Sequence, residues 1–132
     1  MLTYALQEAI DASTDDILDF LERDIRSIHP YKQKLEGAEI TVHIQGVRTG
    51  NIIAVYARTS TSEGRGDEMI RFEVVRHTKT SSMVKAFYEC DNPHSILMFH
   101  RIWARLAIAF RADFAGEALR KLNKIEKQKK TG

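Results

Sequence analysis

Apolar residues at Leu2, Leu6, Ile10, Ile17, Leu21, Ile25 and Ile28 fall at spacings of three, four or seven, with acids between them. That spacing predicts an amphipathic helix over residues 2–28. Within it, Ser13-Thr14-Asp15-Asp16 carries a helix-start signature, Ser13 as N-cap and Asp16 three residues on. Two helices broken near Ser13 therefore fit as well, but the stripe runs through the junction in phase, which favours one. His29-Pro30 ends the helix, because a residue before proline avoids helical angles.

The period then changes to two. Ile40, Val42 and Ile44 alternate with Thr41, His43 and Gln45, the pattern of a half-buried strand. Gly46-Val47-Arg48-Thr49-Gly50 is predicted as a turn, followed by a second strand from Asn51 to Arg58. Residues 59–67 hold Ser, Thr, glycines and charges and are expected to be a flexible loop. Met69 to His77 is a third strand, Thr78 to Ser82 a turn, and Met83 to Cys90 a fourth strand. Short links imply an antiparallel meander with one wet face.

Asn92 as N-cap and Pro93 at the first helical position start a last helix that reaches about Lys127. The expected fold is α+β: one domain over 1–132, a four-stranded antiparallel meander with an N-terminal and a long C-terminal helix on one face (α-β-β-β-β-α). The basic tail is placed at 127–132. Phe99, Trp103, Leu106, Phe110 and Phe114 form one stripe of the last helix and belong to the sheet-facing core. Beyond them the apolar face changes to Ala115, Ala118, Leu119, Leu122 and Ile125. Either the helix kinks at Gly116, which costs helix propensity, or its far half packs on another chain. The second account predicts a homodimer through Ile108, Ala115, Leu119, Leu122 and Ile125, since a monomer rarely exposes such a patch.

Composition narrows the class. The 132 residues are 43% hydrophobic and 29% charged, a globular balance sufficient for one core. A single Cys90 excludes an intramolecular disulfide and a multi-cysteine zinc site. No apolar run has the ~18 residues of a membrane span, and no basic-then-apolar leader opens the sequence, so a cytoplasmic domain is expected. The net charge of +2 hides a gradient: residues 1–36 carry eight acids and four bases, and residues 93–132 three acids and nine bases. Either the two ends neutralise each other, or the basic end meets nucleic acid or an acidic protein.

Candidate chemistry follows from that gradient. Arg101, Arg105, Arg111, Arg120, Lys121 and Lys124 lie off the aromatic stripe and form a candidate phosphate-contacting ridge. By strand alternation Arg58, Arg71 and Lys85, with His43 or Tyr56, share the face away from the core. Such a face can track single-stranded nucleic acid, although Glu73 and Glu89 fall in the same alternation. The acid on a second strand and the Glu-x-Lys pair of metal-dependent nucleases are missing, since Val74 and Val75 follow Glu73. Cys90, His94 and His100 make a weak metal set, better explained as a strand-end Cys and structural histidines. Arg65-Gly66-Asp67 matches a cell-adhesion tripeptide by coincidence. The element order is similar to small RNA-binding domains in topology, without their helix-borne lysine cluster. No cofactor, metal or catalytic residue is expected. The expectation is a non-enzymatic, self-associating binding module with DNA or RNA as leading partner; the alternative is a regulator whose basic helix meets an acidic protein, and a metal-dependent enzyme comes third.

Overall fold

A computed structural model describes residues 2–28, 31–35, 38–61, 64–90 and 96–131, with side chains over 5–28, 45–56, 69–89 and 98–127. The elements are β1 (Leu2–Ile10), α1 (Thr14–Arg26), β2 (Tyr31–Leu35), β3 (Ala38–Thr49), β4 (Ile52–Thr61), β5 (Gly64–Arg76), β6 (Ser82–Cys90), α2 (Ile96–Ala109) and α3 (Ala115–Thr131). The α+β class and the antiparallel sheet are as expected. The number of strands is not. All pairs in the six-stranded sheet are antiparallel, in the order β1-β6-β5-β4-β3-β2.

Residues 2–10 are the main correction. They form a strand paired along its length with β6, from Leu2↔Cys90 to Ile10↔Ser82. Leu2, Leu6 and Ile10 are four apart, a spacing that keeps to one face of a strand as well as one side of a helix. The helix begins where the capping signature stands: Ser13 Oγ accepts from the Asp16 amide at 3.1 Å. It ends at Arg26 with Ser27 as C-cap, before the His29-Pro30 step, which lies outside the described residues. Thus α1 carries the chain across one sheet face, from the β1 edge to the β2 edge. The second unanticipated strand, β2, pairs with β3 from Tyr31↔Val42 to Leu35↔Ala38.

Two predicted loops are also strand. Residues 46–49 continue β3, and the reversal is confined to Gly50 and Asn51 between the paired Thr49 and Ile52. Gly50 has φ +59°, as the first central residue of a tight hairpin turn demands. Residues 59–61 and 64–67 belong to β4 and β5, in register as Thr59↔Gly66 and Ser60↔Arg65. The ladder anchored at Val55↔Ile70 extends outward through them despite their polar composition.

The core lies between one sheet face and the helices. Ile17, Leu18, Leu21 and Ile25 of α1 and Phe99, Ile102, Trp103 and Leu106 of α2 are buried against Ile53, Val55, Ile70, Phe72, Val74, Val84, Ala86 and Tyr88. Phe99 sits at the centre, its ring 5.4 Å from Tyr88 and 6.3 Å from Phe72. The C-terminal helix is neither straight nor kinked at Gly116. It breaks between Ala109 and Ala115, where Arg111 takes a left-handed φ of 50°. The Ala112 amide reaches back to the Ala107 carbonyl (2.9 Å) and the Arg111 amide to that of Ile108 (3.2 Å). These are the two hydrogen bonds of a Schellman cap, with arginine in the place glycine usually holds. The break lets α3 fold along α2, so that Phe114 stacks on Trp103 at 5.0 Å and Ala118 is buried. Residues 127–131, expected as a tail, are the end of α3. The expected caps Asn92 and Pro93 lie outside the described residues.

Candidate functional site

The predicted cationic ridge is divided between two helices and the cap that separates them. Arg105 Nε is 2.8 Å from Asp24 Oδ1, which ties α2 to α1, and Arg101 Nε lies 3.6 Å from Glu126 Oε1 on α3. Arg111 closes the helix break, and Arg120, Lys121 and Lys124 are exposed on α3. The break thus divides the six cations among α2, its cap and α3, and Arg101 and Arg105 face acids. The acidic N-terminal segment does neutralise part of the basic end.

On the sheet, alternation places Arg71 and Lys85 on the face away from the helices, as expected. The Arg71 guanidinium lies 4.7 Å above the Phe87 ring, and Lys85 stands opposite Glu73 in the ladder. Tyr56 is 49% exposed on the same face. Arg58 occupies the register position opposite Asp67 and His43 on β4; its side chain, like that of His43, lies outside the described residues.

Of the weak metal set, Cys90 ends β6 with its side chain outside the described residues, as is His94. His100 is 1% exposed, edge-on to Phe99 at 5.2 Å, and burial lowers its pKa below the ordinary 6.5. Among the described residues no three His, Cys, Asp or Glu side chains cluster as metal ligands. Of the predicted interface, Ile108 is 50% and Leu119 37% exposed, while Ala115 and Leu122 pack partly onto the chain's own core. Ile125 is half-buried.

One concavity among the described residues was not anticipated. It is a cleft of about 410 Å³ between α1 and the β3–β4 hairpin, lined by Glu22, Ile25, Arg26, Gly46, Arg48 and Ile53 among others. Its shape starts with Gly46, which faces α1; a Cβ there would stand 2.8 Å from Ile25 Cγ2. Two residues on, the same alternation turns Arg48 toward the helix. Its Nη1 donates to Asp19 Oδ1 (2.7 Å) and Glu22 Oε2 (3.0 Å), one helical turn apart. Glu22 also holds Arg26 at 2.6 Å. These hydrogen bonds, Asp19's first and Glu22's next, raise the Arg48 pKa further above its usual value. The rim carries two acids and two guanidiniums, net zero, over the apolar Ile25 and Ile53. One signal in the sequence marked it: Arg48 is a charge on the alternation that Ile40, Val42 and Ile44 begin.

A smaller cavity of about 120 Å³ lies between β1, α2 and α3, bordered by Leu6, Glu8, His100, Trp103 and Lys121. Among the described residues no helix is long and apolar enough to cross a membrane.

No family model and no curated protein matches the sequence. Solved structures do resemble it in fold. CalU16 from Micromonospora echinospora superposes with a TM-score of 0.52 at 11% identity, over 98% of this chain and 86% of that one. Mll3558 from Rhizobium loti gives 0.51 at 11% identity, over 88% and 96%. XoxI from Bacillus cereus gives 0.51 at 13% identity, over 83% and 96%. At such identities the likeness shows a shared fold and nothing about ligand or activity.

Proposed function

We propose that the chain is a non-enzymatic binding module that takes a small molecule of no net charge in the cleft between α1 and the β3–β4 hairpin. The observation that carries this reading is the cleft itself, whose ~410 Å³ lies within the range of about 300–1,000 Å³ typical of small-ligand sites. Ile25 and Ile53, buried in the core, close the base of the cleft, and Glu22, Arg26 and Arg48 offer donors and acceptors at the rim. Because Asp19 and Glu22 cancel Arg26 and Arg48, a ligand of no net charge fits best. The same pairing supports binding over catalysis, since the rim acids and cations already hold one another.

The neutral fluorophore N-phenyl-1-naphthylamine tests this. Its emission is expected to rise on binding, with amide shifts concentrated in residues 22–26 and 46–53. Arg26→Trp, which lays a ring across the cleft, is expected to abolish both. Shifts confined to other surfaces, or an unchanged response in Arg26→Trp, would defeat the reading. Self-association through the exposed Ile108 and Leu119 is part of the same proposal, supported by the apolar area that the folded chain leaves in water there.

A further inference from the structure

We propose that the outer face of the sheet, around Tyr56, Arg71 and Phe87, is a binding platform for single-stranded nucleic acid. This face is separate from the cleft. It is the side of β4, β5 and β6 opposite the helices, where residues Ala54 and Tyr56, Met69 and Arg71, and Lys85 and Phe87 alternate with the buried core positions. No helix covers it among the described residues.

Tyr56 leaves about half of its surface in water, at 49% exposure, where a large ring gains nothing from the core. Phe87 lies two strands away, one ladder step along, and presents its face to the Arg71 guanidinium at 4.7 Å. With strands ~4.8 Å apart and a rise of ~3.4 Å per residue, the two rings stand about 12 Å apart across the sheet. Arg71 stands between them on β5 with its guanidinium over the Phe87 ring, and Lys85 lies two residues beyond Phe87 on β6, on the side away from Tyr56. Rings that accept base faces, interleaved with cations that accept phosphates, are the components of a sequence-tolerant single-strand site.

Charge separates this face from the helical ridge. Arg48, Arg101 and Arg105 each have a carboxylate within 4.0 Å, whereas among the described residues neither Arg71 nor Lys85 has one. Arg120 and Lys124, also exposed on α3, have no aromatic partner of that kind among the described residues. An extended single strand therefore matches the sheet face better than a duplex matches the helices. Glu73 and Glu89 border the platform and set its limit: stacking supplies a large share of the affinity, and the salt dependence is shallow.

Fluorescence anisotropy with a short labelled oligothymidylate, the corresponding oligouridylate, and a duplex of the same length tests the assignment. Binding of either single strand in preference to the duplex is expected, weakening with salt. Tyr56→Ala is expected to reduce affinity roughly tenfold with the salt slope unchanged, because a stacking contact is lost. Arg71→Gln is expected to lower the slope by about 0.7, the contribution of one phosphate on a single strand. Both residues are exposed, so the fold survives, which circular dichroism verifies. Three results would overturn the proposal: no binding at low salt, a preference for duplex, or affinity insensitive to Tyr56 and Arg71 but lost in Arg120→Glu with Lys124→Glu. The cleft probe reports separately, since Tyr56→Ala and Arg71→Gln leave residues 22–26 and 46–53 untouched.

Discussion

Gly46 shows how much one missing side chain can decide. It faces inward from β3, directly beneath Ile25 of α1, and the helix lies so close that a methyl group would fall 2.8 Å from the Ile25 Cγ2 methyl. Ile25 is branched and buried, so it has no free end to swing aside. Gly46→Ala is therefore expected to push the C-terminal half of α1 off the sheet. The cost is about 1–3 kcal/mol, the range for overpacking a core, readable in a urea denaturation midpoint. The same change should stretch the Arg48 contacts with Asp19 and Glu22. Unchanged stability together with unchanged amide shifts along 19–26 would mean that the helix adapts without moving. At this scale the sequence was partly legible. Phe99, Trp103 and Leu106 were recognisable as core from their spacing, and they are buried. Phe110 shared their stripe, yet it is only half-buried, meeting Phe20 edge-on at 5.6 Å, because the helix ends there.

Among the elements, the break between α2 and α3 has the greatest consequence. A straight helix would have carried the face of Leu119 and Leu122 away from the domain. The Schellman cap at Arg111 turns α3 back, and Phe114 and Ala118 join the core. Arginine at φ 50° holds a conformation that costs an L-residue about 1–2 kcal/mol relative to its ordinary one. Arg111→Gly removes that cost and is expected to stabilise the protein by about 1 kcal/mol, seen as a rise in thermal midpoint. A fall in stability would show that the Arg111 side chain contributes more than its backbone conformation costs. The break was hidden because glycine, the usual marker, stands five residues later at Gly116, where a Cβ would meet open space. In β1 the signal was ambiguous for a different reason. Residues four apart satisfy both a helical and a strand period, so only pairing with β6 separates them.

On the scale of the whole molecule, the helices among the described residues cover one sheet face and not the other. The folded chain absorbs Ala118 and part of Leu122, but Ile108 and Leu119 stay exposed. Sedimentation equilibrium at micromolar concentration is expected to show a dimer. Ile108→Asp with Leu119→Asp, both at exposed positions, is expected to dissociate it without unfolding the chain. A strict monomer, or a dimer indifferent to the pair, would remove self-association from the proposed function.

What the sequence determined by itself was local. The strands at Ile40 to Ile44 and Ile70 to Val74 and the buried Phe99, Trp103 and Leu106 of α2 depend on neighbours within a turn or a strand and are where they were expected. The Ser13 cap starts a helix where the in-phase stripe had favoured none. The tertiary structure decided the rest. It made a strand of Leu2–Ile10 by offering β6 as a partner some eighty residues away, and it joined Arg48 to Asp19 and Glu22 across the gap that Gly46 leaves. It also divided the cations into those that face acids and those that face water. Such pairings are set by which elements meet, and in a six-stranded antiparallel sheet whose edges are joined by a crossing helix, that depends on contacts remote in the chain.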